Sequence, residues 1–151
     1  MRVVLAIVIF AVTACGADVP AGLADKLKAC PADIPIDQVA TITKGLEVTE
    51  AKSDRDDRCV LVTSEGREVL DIWLMPAVED VSNLHHLLDM LCDRGPKVDG
   101  PEHSCGKPDG DQVFTVHGAV GNRSVRIGVK NISITEEIRR AAFGILERMR
   151  D

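Results

Sequence analysis

The chain contains no tyrosine, one tryptophan and three phenylalanines in 151 residues. Aromatic cages and multi-ring carbohydrate platforms need several such rings, so neither is expected, and the core must be aliphatic. Basic residues are also short: 18 Lys and Arg face 24 Asp and Glu, a formal charge of −6. Nucleic-acid binding needs a basic face, and electrostatic adhesion to anionic lipids needs one too. An acidic chain is a poor candidate for either. No apolar run approaches the 20 or so residues of a permanent membrane helix.

The catalogue of missing motifs narrows the chemistry further. There is no G-x-S-x-G, no P-loop and no CxxC pair, so a nucleophile elbow, a phosphate cradle and a zinc knuckle all lack their residues. The five cysteines (15, 30, 59, 92 and 105) stand at least 13 residues apart, which argues against a compact metal site. Carboxylate clusters at Asp54, Asp56 and Asp57, and at Asp109 and Asp111, lack the Gly and terminal Glu of a calcium loop. They read as turns.

The N-terminus is where the sequence becomes informative. Arg2 precedes an unbroken ten-residue apolar run, Val3 to Val12, with the length of an export-signal h-region. Val12-Thr13-Ala14-Cys15 then resembles the lipobox of bacterial lipoproteins. The resemblance implies cleavage before Cys15 and a diacylglycerol on its thiol; plain signal cleavage after Ala14 is the alternative. Lipidation of Cys15 also resolves the odd cysteine count, leaving four for an oxidising compartment. Of three possible connectivities, Cys30–Cys59 and Cys92–Cys105 are favoured, because each joins consecutive elements across one loop. The expected organisation is a signal peptide at 1–14, a lipidated Cys15 and tether over 15–30, and one domain over 31–151.

Within the tether, Leu23, Leu27 and Cys30 fall at helical spacing. Asp33 offers an N-cap for a helix running toward Gly45. Residues 46–53 read as a strand, 54–58 as a charged turn, and 59–65 with 67–76 as a hairpin. In its second strand Leu70, Ile72 and Leu74 point one way, and Val69, Asp71 and Trp73 the other. Residues 79–94 are a helix with a stripe of Val81, Leu84, Leu87, Leu88 and Leu91. The Gly- and Pro-rich stretch 95–111 reads as a loop. Strands at 112–120 and 124–132 turn at Gly121-Asn122, placing Phe114 and Val116 with Val125, Ile127 and Val129. Ser133 to Glu136 matches a capping box before a last helix with Ile138, Ala141, Ala142, Ile145, Leu146 and Met149 on one face.

The order α-β-β-β-α-β-β-α, with hairpins and no crossovers, predicts an α+β fold: an antiparallel sheet with helices mainly on one face. With a Cys before the first helix, a Cys in an early strand and the final "TEEIRRAAFGILERM" helix, this order resembles two groups. One is the small exported lipoproteins of high-GC Gram-positive bacteria. The other is the extracytoplasmic sensor domains of mycobacterial-type serine/threonine kinases. The resemblance implies binding or sensing at the outer face of the cytoplasmic membrane and carries no catalytic residues.

The histidines give no constellation. His85 and His86 are adjacent, about 100° apart on a helix, and cannot share one metal as i, i+4 residues do. His103 and His117 stand alone. Asn122-Arg123-Ser124 and Asn131-Ile132-Ser133 are sequons that a bacterial lipoprotein leaves unused. Asp71 opposite a buried face is no evidence of catalysis in so acidic a chain. The sequence therefore predicts no catalytic, cofactor or metal residues. It points to a non-catalytic, membrane-anchored domain that binds an envelope protein or a small ligand. The alternatives are an envelope enzyme assembled from scattered residues, or an accessory subunit of an envelope complex.

Overall fold

The computed structural model describes residues 19–30, 34–55 and 57–151. Cys15 and the 1–14 segment lie outside them, as do Asp33 and Asp56. The elements run α1 (Leu23–Leu27), α2 (Ile36–Ile42), β1 (Val48–Lys52), β2 (Arg58–Thr63), β3 (Glu68–Leu74), α3 (Val81–Cys92), β4 (Val98–Asp99), β5 (Cys105–Pro108), β6 (Val113–Val120), β7 (Arg123–Lys130) and α4 (Glu136–Arg150). The fold is α+β with two disulfides, Cys30–Cys59 and Cys92–Cys105, whose Cα atoms lie 5.0 and 5.7 Å apart.

All seven strands form one antiparallel sheet in the order β1-β2-β3-β7-β6-β5-β4. The two halves meet where β3 pairs with β7, Ile72 opposite Ile127. Alternation fixes the register on the inner face: Phe114 faces Val129, Val116 faces Ile127, and Gly118 faces Val125. All five side chains in that set are at most 1% exposed, each burial contributing on the order of 1.5–3 kcal/mol.

Helix α4 covers this face because its apolar stripe recurs at 3.6-residue spacing. Gly118 lets it approach: a Cβ there would meet Leu146 Cδ2 at 2.6 Å. Helix α2 packs on α4, and α1 on α2 and β1. Leu23, Leu27 and Cys30 all enter this main core, so the segment read as a tether contributes a packed helix to the domain. Helix α3 alone lies on the opposite, outer face, where Leu84 and Leu88 sit on Ala119, one residue out of phase with Gly118.

Several local expectations are corrected. The stretch 95–111 is not simply a loop: it carries β4 and β5, which extend the sheet beyond β6. Gly106 belongs to β5 because the Phe114 ring fills the place of its Cβ, Cζ lying 2.1 Å from that position. Val69 points inward and is 1% exposed. The register slips between Leu61 and Val62, which face Leu70 and Glu68, so Val69 is the extra residue of a bulge and escapes alternation.

Both helix starts move as well. The α4 cap is Thr135, accepting from the Ile138 N–H at 3.3 Å, because the Ile134 N–H is engaged by the Asp111 carbonyl at 2.8 Å and holds Ser133 outside the helix. Pro35, rather than Asp33, occupies the α2 cap position.

Candidate functional site

Three surfaces carry polar or unpartnered groups: the exposed side of α3, the cleft between α2 and α4, and the uncovered part of the outer sheet face.

Helix α3 begins at Asp80, whose carboxylate accepts from the Asn83 N–H at 2.9 Å. Of the expected stripe, only Leu84 and Leu88 are buried. Leu87 is 53% exposed, Met90 40% and Leu91 38%, three neighbours at i, i+3 and i+4. Their exposure follows from what α3 rests on. Among the described residues Ala119 is the only sheet residue in its cluster, and so small a side chain supports a contact two leucines wide. The helix is pinned at its C-terminus instead, by the Cys92–Cys105 bridge and by the Lys107 ammonium donating to the Cys92 carbonyl at 3.0 Å and to that of Arg94.

Beside it, the His85 and His103 rings stack at 4.0 Å, and His103 Nδ1 lies 3.1 Å from both Asp89 carboxylate oxygens. This contact was not legible from His103 alone, because it depends on a backbone φ of 51° at that residue. His86 stays exposed. Among the described residues no three His, Cys, Asp or Glu side chains converge as a metal set would.

The α2–α4 cleft has a volume of about 880 Å3 and includes Gln38, Thr41, Glu137, Arg140, Phe143 and Glu147 in its lining. Its lining carries one hydroxyl, Thr41, and three carboxylates, Asp99, Glu137 and Glu147. Thr41 and Glu137 also border a 300 Å3 extension toward Leu46 and Ile132.

The outer sheet face is organised by register. One row runs Arg58, Trp73, Arg126, His117 and Cys105 across β2, β3, β7, β6 and β5. The next runs Val60, Asp71, Gly128, Thr115 and Lys107. Arg58 is engaged by Asp54 and Asp71, and Arg123 by Asp57. Arg126 is exposed and has no carboxylate partner among the described residues. Burial holds His117 below the ordinary imidazole value, with the Arg126 and Lys107 charges adding to the effect.

The remaining candidates are structural. Asp54 and Asp57 hold arginines around the β1–β2 turn. In the β5–β6 turn the Asp109 N–H donates to the Val113 carbonyl. Asn122 and Asn131 donate side-chain hydrogen bonds to the carbonyls of Val78 and Glu68. No described helix is long and apolar enough to cross a membrane. Comparison with protein-family models, with curated proteins and with solved structures gives no match for the chain.

Proposed function

We propose that this is an exported domain, lipid-anchored through Cys15, that recognises a partner protein outside the cytoplasmic membrane through α3. The supporting observation is the apolar surface of Leu87, Met90 and Leu91, left open on a helix that a disulfide clamps to the sheet. Exposed contiguous apolar side chains of this kind mark interaction sites. Residues 79–97 hold four acids (Glu79, Asp80, Asp89, Asp93) and two bases (Arg94, Lys97). Lys97 is itself held between Asp93 and Asp99. An anionic membrane surface is therefore a poor occupant. The fitting partner is a protein segment with an apolar stripe and basic flanks.

A photoreactive residue at position 87, in cells carrying the full chain, tests this. The expected adduct maps to one apolar, basic segment of a second protein and disappears with Leu91→Asp, which alters an exposed side chain. Adducts only with lipid, only with a second copy, or indistinguishable from those at Glu147 overturn the reading. The anchor is tested separately: Cys15→Ala releases the chain from the membrane fraction if the thiol carries the lipid, and leaves it bound if another feature does.

A further inference from the structure

The large apolar side chains that the fold leaves exposed are gathered in one place. All but Val19 fall between Val78 and Leu91, on α3 or the segment leading into it. One residue of that surface differs in chemistry from the rest. Leu87 and Leu91 are inert hydrocarbon, whereas Met90 carries a thioether, a polarisable sulfur that oxidants attack. It stands three positions after Leu87, whose other neighbour on that flank of the helix is Leu91.

The other sulfurs of the described residues are protected. Cys30, Cys59, Cys92 and Cys105 are tied in disulfides. Met75 is half-buried, and its sulfur accepts a hydrogen bond from the Ser124 hydroxyl at 3.0 Å. Met149 is half-buried against the main core. Met90 is 40% exposed and belongs to neither hydrophobic cluster. Among the described residues it is therefore the one methionine open to solvent.

Oxidation at this atom changes the surface without changing the fold. A sulfur lone pair attacks one oxygen of a peroxide, the O–O bond breaks, and the second oxygen leaves with the proton as water. Sulfur loses two electrons, the peroxide gains them, and the product is methionine sulfoxide. Its S–O dipole is a hydrogen-bond acceptor set beside two leucines. A partner covering Leu87 and Leu91 with an apolar stripe has no donor for it, so the acceptor is buried unsatisfied. The Cys92–Cys105 bridge is already oxidised and keeps α3 in place, so a peroxide reaching this helix acts on Met90.

We infer that Met90 is an oxidation switch on the α3 docking surface: its thioether admits the apolar partner, and its sulfoxide rejects it. The inference rests on α3 being that docking surface, with a peroxide as the oxidant.

Peptide mapping of the folded full chain after hydrogen peroxide treatment is expected to find oxygen added at Met90 several-fold faster than at Met75 or Met149. In cells with the photoreactive residue at position 87, peroxide then lowers the partner adduct about tenfold or more. Met90→Leu keeps the adduct before and after peroxide. Met90→Gln, a polar side chain of similar length, lowers it with no oxidant. Both variants alter an exposed side chain and keep the fold, as circular dichroism would show. Three results overturn the inference and leave the α3 surface standing: Met90 oxidised no faster than Met75 and Met149, an adduct that survives complete oxidation of Met90, or an equal loss in Met90→Leu. Absence of any partner adduct before peroxide overturns the α3 reading, and the inference with it.

Discussion

Arg58 grips Asp71 with two parallel hydrogen bonds across the β2–β3 hairpin, Nε to Oδ1 at 3.0 Å and Nη2 to Oδ2 at 2.8 Å. The side chains are 23% and 14% exposed, so water screens this pair far less than a typical surface ion pair. Asp54 also reaches Arg58, at 3.2 Å, but is 56% exposed. Asp71→Asn is expected to cost about 1–3 kcal/mol, the range for hydrogen bonds to charged groups. Asp54→Asn is expected to cost at most about 0.5 kcal/mol. Urea denaturation of the two variants compares them directly, and equal losses contradict the assignment.

His117 sets a pH dependence whose sign follows from its environment. Burial, then Arg126 and Lys107, lower its folded-state value below the unperturbed 6.5. The unfolded chain therefore takes up this proton more readily than the folded one, and the neutral form favours folding. The contribution is complete above pH 6.5 and is lost as pH falls through the folded-state value. His117→Gln should flatten the decline in urea midpoint on acidification from pH 7 toward 5. An unchanged slope would show that other groups control it.

The Cys92–Cys105 bridge closes a short loop, with 13 residues of sequence separation, worth about 3 kcal/mol in the chain-entropy estimate. The paired Cys92→Ser and Cys105→Ser variant should lose about 2–3 kcal/mol by that estimate. The loss should appear first in α3, whose other supports are two leucines on Ala119 and the Lys107 ammonium. Hydrogen exchange should speed up along 81–92 while 136–150 keeps its protection. Uniform acceleration of both helices refutes this.

The sequence showed most where a periodic pattern met a matching partner. Phe114 and Val116 alternate in phase with Val129 and Ile127, and they pair as expected. Of the α4 stripe, Ala141, Ala142, Ile145 and Leu146 are buried, while Ile138 and Met149 at its ends are partly buried against the same core. Periodicity failed where the partner, not the helix, sets the width of the contact. Leu87 and Leu91 belong to an apolar arc, yet Ala119 covers only Leu84 and Leu88. Val69 departs from the strand alternation because a bulge has no fixed residue signature. The β4–β5 pair was hidden in a Gly- and Pro-rich stretch, where Gly106 looks like a turn residue until Phe114 is seen beneath it.

The candidate binding surfaces were less accessible still. Trp73 and Arg126 are 53 positions apart in sequence and become neighbours only through β3–β7 pairing. Nothing local to either residue announces that.

The Cys30–Cys59 bridge has a mechanical consequence. It is a covalent short cut across 29 residues of sequence, with α2 and β1 lying inside the loop it closes. Tension arriving from the N-terminal side of Cys30 passes through the sulfurs into β2, which is hydrogen-bonded on both edges. Helix α2 and edge strand β1 stay outside the load path. If the chain is pulled between its N-terminal end and a partner seated on α3, the α2–α4 cleft keeps its shape while the central strands bear the strain.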